Sequence, residues 1–281
     1  MLITDCHVHI EPYWMMNPTA AAMMHTKRPN HAEIEGYSQD PKKFLAYLDT
    51  AGVDRTVLIN YAAPETLGFT MEVNEWVVKY CSTDPERLLP CAGIHPKFAN
   101  DVEAEMNKLI GRGVRLFKVH PPHQLLYPND YLNGNKGLEA IYRTAEANGI
   151  PVMIHTGTSV FPGARSKFGD PIYVDDVAID FPKLTILLAH GGRPIWMDTA
   201  FFLVRRHENM YLDISGIPPR TLLEYFPRLQ EIATKTLFGT DWPGPGVPEI
   251  KRNLDDFRKL DISEPAKRAI LSETALKIWP K

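Results

Sequence analysis

Cysteine, charge of one sign and long apolar runs are all scarce in this chain, and each scarcity closes off a class of protein. There are three cysteines in 281 residues, Cys6, Cys81 and Cys91. They cannot all pair and show no metal-like spacing, which suits a reducing compartment. The formal net charge is -3, with acidic and basic residues mixed along the chain. No basic stripe marks a nucleic-acid partner and no block of like charge marks a tail. No apolar run is long enough to span a bilayer, and no secretory leader pattern opens the sequence. A soluble cytoplasmic protein acting on a small molecule, without nucleic acid or membrane as partner, is expected.

What the sequence does contain is a repeating unit. Short runs rich in Val, Ile and Leu recur eight times: residues 1–10, 54–61, 88–96, 114–121, 151–157, 184–192, 210–216 and 236–243. Near-continuous apolar character fits strands buried on both faces, as parallel strands are. Helix-like segments lie between them. Residues 41–51 carry apolar side chains at Phe44, Leu45 and Leu48 and stop at Gly52. Residues 102–110 stop at Gly111, and residues 138–147 at Asn148-Gly149. Strand, helix and glycine turn repeated eight times predict one α/β domain over 1–281, a single (β/α)8 barrel, with a doubly wound sheet as second choice. One stretch breaks the rhythm. Residues 11–40 form a long connection without clear periodicity, carrying Tyr13, Trp14 and four methionines. Such a connection is a lid or an insertion that packs on the barrel or a second subunit.

Sites in these barrels form at the C-terminal ends of the strands. Read in order, those ends carry His7 with His9, then Asn60, His95, Lys118 with His120, His155, His190, Ser215 and Asp241. Five of eight strands thus end in histidine in a chain with ten histidines. That clustering is what a metal site needs. On a strand, residues i and i+2 leave on one face, so His7 and His9 project together above Asp5, while Cys6 and Val8 face the helices. Each residue also has a plainer reading: core histidines for His7 and His9, a strand end for His155, a turn at Gly191-Gly192, a helix cap for Asp241. His95 and His120 each precede proline and are either substrate contacts or structural strand ends. Arg165 and Lys167 read as solvated surface.

Taken together, Asp5-Cys6-His7-Val8-His9, His155-Thr156-Gly157, Ala189-His190-Gly191-Gly192 and Phe238-Gly239-Thr240-Asp241-Trp242-Pro243 resemble the amidohydrolase superfamily. The branch is the amidohydrolase-related one that includes aminocarboxymuconate semialdehyde and resorcylate decarboxylases, and the match spans the whole chain in order. The resemblance implies that His7, His9, His155 and Asp241 hold one divalent ion, zinc first, with manganese and iron also tolerated. It implies Asp241 as general base and then acid, with His190 across from it on the attacking water or the substrate oxygen. In two-metal members a fourth-strand lysine is carboxylated and bridges the ions. Lys118 and His190 could supply that set, but this branch is typically one-metal, and Lys118 then serves a substrate carboxylate.

The expected activity is hydrolysis of an amide, lactone or related ester bond in a small acidic molecule by metal-activated water. The glycine-rich end of the eighth strand resembles lactone hydrolases of the branch. A non-oxidative decarboxylase is the second reading, and a barrel that has lost its chemistry and only binds is the third. Expected substrate contacts are Lys118, His120, Arg193, Trp242, Tyr13 and Trp14. A homodimer through the long first connection is expected by analogy.

Overall fold

The computed structural model describes residues 1–27, 30–244 and 246–280. Eight parallel strands follow one another in chain order around a single sheet. They are β1 (Thr4–Val8), β2 (Arg55–Ile59), β3 (Leu88–Ala92), β4 (Leu116–Val119), β5 (Val152–His155), β6 (Ile186–Ala189), β7 (Met210–Asp213) and β8 (Thr236–Leu237). Every strand is buried along its whole length, which is why the runs lack alternation. Helices lie between the strands, and the chain is a (β/α)8 barrel. Alternate strand residues divide into two packed layers. Leu58, Phe117, Ile154, Leu188 and Leu212 face helix residues such as Phe44, Met106, Leu138 and Leu254. Val57, Leu89, Leu116, Met153, Leu187 and Leu237 fill the barrel.

Helices Pro41–Ala51 and Lys136–Ala147 end where the sequence says, whereas helix Val102–Gly111 runs through Gly111 and is capped by Arg112. Helix Pro41–Ala51 starts on Asp40, whose carboxylate accepts from the Lys42 and Lys43 amides, and stops at Gly52 with φ 74°. The connection after β1 differs from expectation. It carries two helices, Pro18–Lys27 and His31–Gln39; residues 28 and 29 lie outside the described residues. Among its described side chains the first of these buries only Ala20 and Met24, one stripe of two residues spaced i, i+4. That is too sparse a pattern to read from sequence.

A second difference concerns Cys6. Four residues of β1, Asp5 to Val8, oppose three of β2, Thr56 to Leu58. One extra residue in a strand is a bulge, and a bulge breaks the alternation of faces. Cys6 therefore packs with the barrel interior rather than toward the helices, beside the inward-facing His7. Strict parity placed it wrongly.

The barrel closes through the residues of the site. The Cys6 amide donates to the Phe238 carbonyl at 2.9 Å, the Asp241 amide to the His7 carbonyl at 2.8 Å and the His9 amide to the Trp242 carbonyl at 2.7 Å. Asp5 reinforces the seam from a fully buried position, accepting from the Thr240 amide at 3.0 Å, the Thr240 hydroxyl at 2.7 Å and the His7 amide at 3.1 Å. Removing that carboxylate strands three buried donors, each costing about 1–3 kcal/mol. Asp5→Ala is expected to lower the unfolding free energy by roughly 3–5 kcal/mol, read from denaturant midpoints. A loss below about 1 kcal/mol would mean that the seam does not depend on Asp5.

Candidate metal centre

Five side chains predicted from strand ends meet at one mouth of the barrel. His7 lies in β1 and His9 just beyond it; His155 ends β5, His190 follows β6 and Asp241 follows β8. Each of three histidines is oriented from behind. His7 Nδ1 lies 2.6 Å from the Asp213 carboxylate. His9 Nδ1 lies 2.9 Å from the Glu11 carboxylate, and His190 Nδ1 2.9 Å from the Ser215 carbonyl. Carboxylates and carbonyls only accept, so every Nδ1 carries its hydrogen outward and every Nε2 lone pair faces the centre. The Ser215 hydroxyl locks the arrangement, reaching Asp213 at 2.8 Å, His7 Nδ1 at 3.0 Å and His190 Nδ1 at 3.1 Å.

The facing atoms are close. His7 Nε2 is 3.2 Å from His9 Nε2, and Asp241 Oδ1 is 3.5 Å and 3.3 Å from the two. Ligand atoms of His7, His190 and Asp241 all lie within 4.8 Å of one another. His155 stands edge-on to His190 with ring centroids 4.6 Å apart, and both of its buried ring nitrogens lack hydrogen-bond partners. Buried acceptors pointed at one another are costly unless a cation or proton lies among them. Three imidazoles and a carboxylate, with further unpartnered nitrogens alongside, fit a divalent ion with an open position.

Protonation in the bare protein follows the same logic. Burial opposes charge on His9, yet the Glu11 and Asp241 carboxylates push it up to about 9. Burial, helped by Lys118, holds His7 down at about 4. Burial also holds His155, His190 and His120 well below the usual histidine range. Burial works against an ionised Asp241, but His9, His7 and Arg193 together keep it well below the usual carboxylate range.

The backbone is bent to bring these groups in. Among the described residues only Leu125, His190 and Asp241 are non-glycine residues with φ in the left-handed region, the last two at 67° and 66°. Such a conformation costs about 1–3 kcal/mol per residue and persists where surrounding structure enforces it. Gly216, at φ 67°, leaves space for the site: a Cβ there would run into the Arg193 guanidinium and the Asp241 carboxylate.

Beside the ligands lies a cavity of about 360 Å³. Lys118, His120 and Arg193 line it as expected, joined by Glu11, Tyr61 and His123. Arg193 Nη2 donates to Asp241 Oδ2 at 3.2 Å, while its buried Nε and the buried Lys118 Nζ have no partner. Three expected substrate contacts do not line this cavity. Trp14 is exposed and packs on Trp76, Tyr13 is buried against His31, and Trp242 is buried against Phe44 and Tyr47. Their aromatic bulk serves packing. His95 is buried beside Glu65, outside the cavity. Asp213, Glu11 and His123 were not read as site residues from sequence. Asp213 sits two residues before Ser215, the residue taken as the strand end, and shares its parity. Glu11 and His123 sit in connections without periodicity.

An ion that uses the His9 nitrogen must displace a proton wherever pH lies below His9's pKa of about 9. Apparent metal affinity is therefore expected to rise about tenfold per pH unit from neutrality toward pH 9 and then flatten. About one proton should leave per ion bound at pH 7, measurable by calorimetry in buffers of different ionisation enthalpy. Uptake without proton release would show that His9 is not a ligand.

The family model of the amidohydrolases matches residues 4–281. No curated protein matches the chain. Among solved structures, an uncharacterised TIM-barrel protein from Bordetella bronchiseptica superposes with TM-score 0.78 at 21% identity, over 99% of this chain and 98% of that one. A 5-carboxyvanillate decarboxylase from Novosphingobium aromaticivorans, solved with manganese and 4-hydroxy-3-methoxy-5-nitrobenzoic acid, gives TM-score 0.64 at 15% identity, covering 99% and 96%. The 4-oxalomesaconate hydratase of Rhodopseudomonas palustris gives 0.65 at 16%, also covering 99% and 96%. A match over almost the whole length, on a barrel whose strand ends build such a centre, means that this chain belongs to the amidohydrolase family of divalent-metal-dependent enzymes.

Proposed function

We propose that this chain is a metal-dependent hydrolase cleaving an amide, lactone or related ester bond of a small acidic molecule. The observation that carries the reading is the Asp241 carboxylate 3.5 Å and 3.3 Å from His7 Nε2 and His9 Nε2, with the Nδ1 atom of each ring anchored on a carboxylate behind it. His7, His9, His155 and Asp241 would hold one ion, with His190 beside them. The nitrogen-rich set suits zinc, and the manganese in the Novosphingobium neighbour supports that metal as well. A divalent ion there lowers the pKa of water toward neutrality and polarises a carbonyl oxygen.

The chain's own groups do the rest. Asp241 accepts the proton of the attacking water and returns it to the leaving group. His190 Nε2, an acceptor because Nδ1 is anchored on Ser215, takes a hydrogen bond from that water and orients it. Arg193 Nε and Lys118 Nζ, both buried and unpartnered, receive the negative charge of the substrate. Burial brings the Lys118 ammonium down to about 8, so it still carries charge near neutrality.

A decarboxylase is the second reading, favoured by one feature of the cavity: Tyr61, Phe161, Leu67 and Met24 line it together with Arg193, and apolar lining suits loss of CO2 from a bound acid. The decarboxylase and hydratase among the neighbours support keeping it. There Asp241 would deliver a proton to carbon.

The test is a panel of lactones, N-acyl amino acids and aromatic acids given to metal-loaded protein, with acid release and CO2 followed separately. Acid release without CO2 is expected. His7→Ala with His9→Ala should abolish both the bound metal, about one equivalent in the parent, and turnover. Asp241→Asn should slow turnover by roughly 10³-fold. CO2 release alone would move the assignment to the decarboxylase. About two equivalents of metal would make Lys118 a carboxylated bridge and His190 a ligand of the second ion.

A further inference from the structure

The cavity wall beside His120 holds a hydrogen-bonded chain that the chemistry above does not use. His123 Nδ1 lies 2.9 Å from the Tyr61 hydroxyl, and His123 Nε2 lies 2.7 Å from the Ser159 hydroxyl. All three residues line the cavity; His123 and Tyr61 are almost fully buried. Ser159 Oγ also accepts from the Phe161 amide at 3.3 Å. His123 is held flat by stacking on His120, with centroids 3.6 Å apart, and His120 stacks on His155 at 3.8 Å. The chain therefore stands two stacked rings away from His155, with His123 and His155 centroids 6.5 Å apart.

A count of hydrogens shows what this chain can offer. A tyrosine hydroxyl, a neutral imidazole and a serine hydroxyl carry three polar hydrogens between them. Two are consumed by the internal bonds, so one is always left over. With the imidazole hydrogen on Nε2, Tyr61 donates to Nδ1 and Nε2 donates to Ser159. The Ser159 hydroxyl already accepts from Phe161 and keeps its own hydrogen for the cavity. With the hydrogen on Nδ1, Ser159 donates inward and the spare hydrogen sits on Tyr61. Either way the cavity wall presents one donor, and the other end of the chain stays an acceptor. Burial holds His123 at about 3, so the imidazole stays neutral and the count holds near neutrality.

We propose that Ser159, His123 and Tyr61 form a second polar anchor in the cavity wall, recognising an acceptor oxygen of the substrate (carbonyl, carboxylate or phenolic). This rests on the reading of the cavity as a substrate pocket. The substrate is then a molecule with two polar groups, an acid group for Arg193 and Lys118 and an acceptor oxygen for Ser159 or Tyr61. The apolar Leu67 and Phe161 line the same cavity. Ser159 and His123 act as positioning and specificity residues, not as catalytic ones.

The test uses metal-loaded protein and four probes: benzoate, 3-hydroxybenzoate, 4-hydroxybenzoate and isophthalate. Affinities are measured by calorimetry, with metal content and melting temperature followed on the same samples. At least one oxygen-bearing probe should bind about tenfold more tightly than benzoate, the effect of one good buried hydrogen bond. Ser159→Ala should reduce that advantage to about twofold or less while leaving benzoate affinity, metal content and melting temperature unchanged. Ser159→Thr, which keeps the hydroxyl, should restore it. The proposal is overturned if no oxygen-bearing probe outbinds benzoate, if none of the probes binds, or if the advantage survives in Ser159→Ala. Failure of the hydrolase reading shows separately, in the metal content and in the products of turnover.

Discussion

Everything at the mouth of this barrel depends on one electrostatic constraint. Imidazole nitrogens and a carboxylate oxygen are held 3.2–3.5 Å apart with their lone pairs converging. In water such acceptors would turn away or bind solvent; buried, they stay together only if positive charge is shared among them. The supports behind them prevent any other solution. Asp213, Glu11 and the Ser215 carbonyl fix the tautomer of three rings, and Ser215 ties two of those supports to each other. A bare protein can meet the constraint with a proton on His9. On the proposed reading a divalent ion meets it with the His7 and His9 nitrogens at once.

The fold supplies this constraint cheaply because site and seam are the same residues. The bonds that close β1 onto the end of β8 run between Cys6, His7 and His9 on one side and Phe238, Asp241 and Trp242 on the other. Asp5, beneath the ligands, satisfies three donors across that seam. Asp241 takes its left-handed conformation within that seam, its amide donating to the His7 carbonyl. Loss of the ligand geometry would thus open the barrel, which makes the site rigid before any metal arrives, as catalytic preorganisation requires.

Much of this was legible in the sequence, and the reason is periodicity. Parallel strands buried on both faces leave continuous apolar runs, and a polar residue at the end of each run stands out. His7, His9, His155, His190 and Asp241 were found in that way, and all five meet at the barrel mouth. What escaped lay where periodicity fails. Asp213 orients His7 from a run whose end was placed two residues later. Cys6 turned inward because a bulge in β1 reversed its face. Helix Pro18–Lys27 is almost without an apolar stripe, so its residues read as loop. Trp14 and Trp242 were expected at the substrate; Trp14 instead lies exposed against Trp76, and Trp242 is buried against Phe44. His123, Tyr61 and Ser159 come from three separate connections, and nothing in sequence spacing joins them.

The most direct test of the account is a crystal structure of the protein loaded with zinc, with anomalous scattering recorded on both sides of the zinc edge. The account predicts a single strong peak about 2.0–2.2 Å from His7 Nε2, His9 Nε2 and an Asp241 oxygen, with Asp213 and Glu11 still on the Nδ1 atoms. A peak elsewhere on the chain, or none at the barrel mouth with His7 and His9 turned apart, would contradict it.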